Sequence, residues 1–113
     1  MALGRLAWYG VGIVALVACD GGVAPPATVY FVLDAPLCSS ILPVQFFIDN
    51  AQVGADTFRV NLAPEHTMSA GFEINSGHHT LGARVVNGYV WADRAVRVAA
   101  GEVVHDSLPF YCS

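Results

Sequence analysis

Residues 80–93 read Thr-Leu-Gly-Ala-Arg-Val-Val-Asn-Gly-Tyr-Val-Trp-Ala-Asp. Two runs rich in β-branched and aromatic residues flank Asn87-Gly88. That dipeptide favours a type I′ turn, whose two central residues both need positive φ. A two-residue loop pairs Val86 with Tyr89, Val85 with Val90, Arg84 with Trp91, Ala83 with Ala92 and Gly82 with Asp93. Alternation then puts Leu81, Ala83, Val85, Val90 and Ala92 on one wholly apolar face, the core side. The other face carries Gly82, Arg84, Val86, Tyr89, Trp91 and Asp93. Trp91 stands opposite Arg84 there, within reach of a cation–π contact worth about 0.5–1 kcal/mol. An outward Tyr and Trp beside an Arg have the composition of a binding hot spot, and they also suit stacking against a sugar ring. Arg84, Tyr89 and Trp91 are therefore the candidate binding residues. The competing reading has Trp91 capped by a loop such as 63–67, or turned into the core by a bulge.

The rest of the chain repeats the strand signal. No segment carries a sustained 3.6-residue period, whereas period two recurs. Thr57–Leu62 alternates polar and apolar, and Met68–Ile74 does so with small residues outward. Thr28–Asp34 and Val44–Ile48 are β-branched and aromatic, the composition of strands. Thr80–Val86, Tyr89–Asp93, Ala95–Ala99 and Val103–Leu108 bring the total to about seven or eight short strands at roughly ten-residue spacing. Asp49-Asn50, Asn75-Ser76-Gly77 and Ala100-Gly101 punctuate them. The pattern predicts an all-β domain over 28–113, an antiparallel β-sandwich.

Composition bounds the function. The 113 residues allow one small domain. With 55% hydrophobic and 12% charged residues the chain is not a disordered tail. Its net charge of −4 and pI near 5.3 offer no basic footprint for nucleic acid.

The N-terminus is excluded from the domain. Met1–Arg5 carries one positive charge, and Leu6–Ala18 is an uncharged apolar run of 13 residues. A membrane span needs about 20 such residues, so this length suits a signal h-region. The run ends in Leu16-Val17-Ala18-Cys19, which resembles the lipobox of bacterial lipoproteins. The resemblance implies cleavage before Cys19, with a diacylglyceryl group on its sulfur and an acyl group on its new amine. Two or three chains anchor firmly where one does not. An ordinary cleaved signal with an incidental Cys, or a simple membrane span, are the competing readings. Residues 1–18 would be the signal peptide. Residues 19–27, rich in Gly and Pro, would be a tether of at most roughly 28 Å over its last eight residues. Asp20 resembles the inner-membrane retention signal of enteric bacteria, but other lineages follow other rules, so the target membrane stays open. No cofactor beyond the lipid on Cys19 is expected.

The mature region resembles small Ig-like or prealbumin-like envelope modules, in particular PEGA-type domains. The residues that carry this are Phe47-Ile48-Asp49-Asn50-Ala51-Gln52-Val53-Gly54, Gly77-His78-His79-Thr80-Leu81, Asn87-Gly88-Tyr89 and Val96–Val103. Asn50 stands where the family usually has Gly, and the Pro-Glu-Gly-Ala start is missing. The resemblance implies a non-enzymatic sandwich used as an extracytoplasmic interaction or spacer module.

With Cys19 lipidated, Cys38 and Cys112 remain, and an oxidising envelope favours a disulfide between them. Each lies four residues past a terminal strand, at Asp34 and at Leu108. If the first and last strands pair in parallel, both cysteines leave the same end of the sheet. Two buried free thiols are the alternative.

Candidate chemistry is sparse. His78 and His79 are adjacent and would point to opposite faces of a strand. Together with His66 and His105 they form no metal-ligand spacing, so no metal site is expected. His105-Asp106-Ser107 spells a triad, but strand neighbours cannot adopt that geometry. No nucleophile elbow, phosphate loop or paired-carboxylate pattern occurs, so the chain reads as a non-enzyme. The sequence therefore points to a lipid-anchored module of the bacterial cell envelope, on the periplasmic side or at the surface. Its expected role is non-catalytic binding or structural support within a larger envelope assembly. The alternative is a lipoprotein that binds peptidoglycan or surface polysaccharide.

Overall fold

The computed structural model describes residues 24–112. The expectations for residues 1–18 and Cys19 lie outside that range. Seven strands follow one another: β1 Ala27–Asp34, β2 Ser40–Ile48, β3 Ala51–Val60, β4 Phe72–Ile74, β5 Gly77–Val85, β6 Val90–Val98 and β7 Val103–Pro109. No helix is present among the described residues. The strands form two sheets, one in the order β4-β1-β7 and one in the order β3-β2-β5-β6. The chain is therefore all-β and sandwich-like. All pairings are antiparallel except β1 with β7, which run parallel from Thr28↔Val103 to Asp34↔Pro109.

Alternation builds the core. In β1, Ala27, Val29, Phe31 and Leu33 point inward, and in β2, Leu42, Val44, Phe46 and Ile48 do the same. Phenylalanines from four strands meet between the sheets. Phe31 of β1 stacks on Phe46 of β2 at 4.7 Å between ring centroids. Phe58 of β3 lies 5.8 Å from Phe46, and Phe72 of β4 lies 5.8 Å from Phe46 and 6.0 Å from Phe31. Burying one such ring is worth about 1.5–3 kcal/mol, so this quartet accounts for much of the force that holds the sheets together.

Two elements depart from the sequence reading. The segment 68–74 contributes only the three residues of β4 to a ladder, with an isolated bridge from Met68 to Val32. Residues 89–99 form one strand rather than two, because a bulge replaces the break expected near Asp93–Ala95. From Gly77↔Val98 to Leu81↔Arg94 the β5–β6 ladder keeps one register, and from Ala83↔Trp91 onward it has moved by one residue. Ala92 and Asp93 of β6 together face Gly82 of β5, and both are exposed.

Cys38 and Cys112 are joined in a disulfide, with Cα atoms 5.3 Å apart. The bridge closes the far end of the β1–β7 parallel pair, so both cysteines do leave one end of that sheet. Asn61, left-handed at φ 54°, donates from its amide to the carbonyls of Pro36 and Cys38 and ties the end of β3 to the same corner.

The seam between β6 and β7, where the two sheets meet edge to edge, is closed by polar bonds. Asp106 of β7 is only 9% exposed and takes two hydrogen bonds from Arg94 Nε, at 2.9 and 3.1 Å, and another from Arg94 Nη2. Arg94 Nη1 also donates to the Ala92 carbonyl at 2.5 Å. A buried carboxylate is tolerable because this fork satisfies it.

Two stability measurements follow from this construction. The 74-residue separation of the cysteines implies about 4 kcal/mol from constraint of the unfolded chain. Reduction with dithiothreitol should therefore lower the melting temperature by more than about 15 °C, and an unchanged melting curve would contradict the bridge. Asp106→Ala should cost about 2–3 kcal/mol in denaturant unfolding by stranding Arg94, whereas Arg94→Met/Asp106→Leu should be close to neutral.

Candidate functional site

The hairpin that carries the three candidate residues is built differently from its sequence reading. The Gly88 amide donates to the Val85 carbonyl at 2.9 Å and the Val85 amide to the Tyr89 carbonyl at 2.7 Å. The loop therefore holds three residues, Val86, Asn87 and Gly88, with Asn87 left-handed at φ 57°. One extra loop residue moves β6 by one position against β5, and that exchanges the faces of β6 beside the loop while β5 keeps its own. Arg84 pairs with Val90, not with Trp91. Val90 is 64% exposed and Trp91 only 4% exposed, the reverse of the expected arrangement.

Trp91 is a core residue. Its indole Nε1 donates to the Pro109 carbonyl at 2.7 Å, across the β6–β7 seam. Phe110 and Tyr89 pack on it, with ring centroids 6.0 and 5.3 Å away. The 63–67 loop lies elsewhere, held by Arg59, which donates to the carbonyls of Ala63 and Pro64. Of the three residues, Tyr89 and Arg84 reach the surface. Tyr89 is 54% exposed at the hairpin tip. Arg84 lies on the outer face of the four-stranded sheet with its guanidinium over the Phe47 ring, 5.0 Å from the centroid, and its Nε bonded to Gln45 Oε1 at 2.7 Å. The cation–π partner is thus Phe47, not Trp91.

The type I′ turn occurs at the other hairpin. Asp49 and Asn50, at φ 53° and 67°, form the two-residue loop between Ile48 and Ala51. Both are residue types that tolerate the left-handed region. Asp49 also fastens this turn to its neighbours. Its Oδ1 accepts from the Thr80 amide at 2.9 Å, and its Oδ2 pairs with His79 Nδ1 at 2.6 Å. The other ring nitrogen of His79 meets the Asn75 carbonyl at 2.7 Å. One histidine therefore links the β2–β3, β4–β5 and β5 segments at one end of the domain. The Thr80 amide, then His79, hold the Asp49 carboxyl below its ordinary value of 3.8. The Asp49 contact, then the Asn75 carbonyl, raise the His79 imidazole above its ordinary 6.5.

The remaining candidates are dispersed. His66 pairs with Asp56 at 2.7 Å, His105 stacks on Tyr30 at 5.3 Å, and His78 lies 3.5 Å from Arg97. Asp106 is committed to Arg94, so the His105-Asp106-Ser107 stretch holds no relay. Among the described residues no three His, Cys, Asp or Glu side chains converge on a common point.

The two ends of the domain differ in character. Among the described residues, six of the nine well-exposed large apolar side chains sit at the disulfide end: Leu37, Ile41, Val86, Tyr89, Val90 and Tyr111. Leu37 and Tyr111 are 84% and 81% exposed. The opposite end carries Asp49, Glu73, His78, His79, Arg97 and Glu102.

The Asp49–His79 latch has a pH signature. Its His79 share is fully present below pH 6.5 and is lost as pH rises through the raised folded value; its Asp49 share is present above pH 3.8 and is lost as pH falls through the lowered one. The gap in melting temperature between the native chain and His79→Gln should therefore be widest between pH 3.8 and 6.5 and narrow on both sides. A gap independent of pH would remove the latch from the account.

No family model and no curated protein matches the chain. Among solved structures it is similar to a leucine-rich repeat protein from Bacteroides thetaiotaomicron, at 15% identity and a TM-score of 0.45, over 76% of this chain and 12% of that one.

Proposed function

We propose that the protein is a lipid-anchored, non-catalytic binding module of the bacterial cell envelope, an Ig-like domain of the PEGA type held at its membrane through acylated Cys19. The observation that carries this reading is the placement of the exposed apolar residues. β1 begins at Ala27, at the charged end of the domain, and runs to Asp34 at the disulfide end. A chain tethered through residues 19–27 enters at the charged end. The apolar end, with Leu37, Tyr89 and Tyr111, then faces away from the anchor, where a larger envelope protein can reach it. Exposed aromatics on a corner stiffened by a disulfide lose little entropy on docking, which favours binding.

The negative charge supports lipid rather than electrostatic attachment. Without Arg5, four Arg face nine acidic residues, and such a surface is not drawn to anionic headgroups. The glycan alternative loses Trp91 as a stacking platform, since its ring is enclosed by Tyr89 and Phe110.

Two measurements test the proposal. Cys19→Ser should move the protein from the membrane to the soluble fraction, and a membrane-bound variant would end the lipoprotein reading. Photo-crosslinkers placed at positions 37, 89 and 111 in intact cells should capture one defined envelope protein. The same group at 73 or 102 should not. Equal capture from both ends would refute docking through the apolar tip.

A further inference from the structure

The outer face of the four-stranded sheet carries a cleft of about 200 Å³ between Arg84 and Asp93. Its floor is Gly82, at the point where the β6 bulge brings two residues opposite one. A Cβ at position 82 would stand 2.8 Å from Asp93 Oδ1 and 3.6 Å from Phe47 Cβ. Only a residue without a side chain lets the Asp93 carboxylate lie against the sheet in this way. On the other side, Arg84 is oriented twice, by the Phe47 ring beneath its guanidinium and by Gln45 at its Nε. Its terminal nitrogens make no hydrogen bond among the described residues. Neither Arg84 nor Asp93 has an ion-pair partner there, and they do not pair with each other. Asn50, from the left-handed turn, brings a neutral amide to the same cleft.

A fixed cationic fork, an anionic acceptor and an amide thus share one small face. A guanidinium with free terminal N–H groups matches a carboxylate bidentately, and a carboxylate can take hydrogen bonds from two adjacent hydroxyls. The complement of both is one pyranose ring bearing a carboxylate and a vicinal diol. We propose that this cleft binds a hexuronate residue of an acidic polysaccharide, with the sugar carboxylate on Arg84, the diol on Asp93 and Asn50 on a ring hydroxyl. A zwitterionic amino acid is the weaker fit. Its ammonium would take Asp93 and its carboxylate Arg84, which would leave Asn50 unused. Val90 of the apolar tip lines one side of the cleft, but Leu37, Tyr89 and Tyr111 do not, so the two sites can be tested separately.

The test is a titration of the isotope-labelled full chain in detergent micelles, followed by amide chemical shifts. The probes are sodium galacturonate, glucose and alanyl-alanine. Galacturonate should shift the amides of Gly82, Arg84 and Asp93 saturably, and glucose should bind at least about tenfold more weakly, the loss of one charged hydrogen-bond pair. Arg84→Gln and Asp93→Asn should each weaken galacturonate by a similar factor while the amide shifts remote from the cleft keep their native positions. Gly82→Ala should also weaken it, by displacing Asp93. The proposal is overturned by the absence of a saturable shift at these amides, by equal binding of glucose or of alanyl-alanine, or by galacturonate binding that survives Arg84→Gln.

Discussion

Trp91, Arg94, Val96 and Val98 all turn toward the inside of the sandwich, and a regular strand cannot place both an odd and an even series on one face. One extra residue in β6 resolves the conflict. Ala92 and Asp93 together occupy the space opposite Gly82, the pleat changes phase, and the two halves of the strand present opposite parities to the core. The seam between the sheets depends on that change of phase. On one side of the bulge Trp91 reaches across to the Pro109 carbonyl, and on the other Arg94 reaches across to Asp106. The two bonds hold β6 against β7 where no backbone ladder joins them.

The same bulge shapes the surface. Val90 and Tyr89 move outward as Trp91 moves in, so the apolar character of the hairpin appears at its tip rather than along its face. Asp93 is delivered over Gly82 and has no ion-pair partner among the described residues, while the adjacent Arg94 is committed to Asp106. One irregularity thus separates the domain's apolar end from a polar patch on its sheet. Bulges recur beside functional sites for this reason: they re-aim side chains without adding an element.

The hairpins show what local sequence can and cannot specify. Asn87-Gly88 and Asp49-Asn50 both favour left-handed backbone, and either could form a two-residue type I′ turn. The structure gives that turn to Asp49-Asn50, whose carboxylate gains the Thr80 amide and His79, contacts with residues some thirty positions away. Asn87-Gly88 instead sits in a three-residue loop, because that loop allows Trp91 to be buried. The choice between an outward indole and a buried one is a difference of one residue in register, and neighbouring turn chemistry does not decide it. The Phe47 platform beneath Arg84 was hidden for a similar reason: the two lie 37 positions apart and meet only through the β2–β5 ladder.

What the sequence determined by itself is the class of element and its spacing. Period-two alternation, β-branched composition and evenly placed turn residues specify short strands, because these signals depend on neighbours along the chain. It also limited the choices for Cys38 and Cys112, placed just beyond the terminal strands. Tertiary structure decided the register of β5 against β6, the burial of Trp91, the pairing of Arg94 with Asp106 and the meeting of Arg84, Gly82 and Asp93. Each of these follows from the requirement that two sheets bury their apolar faces against each other at once. That condition is set by the far sheet, and no local pattern in the strand that obeys it records the outcome.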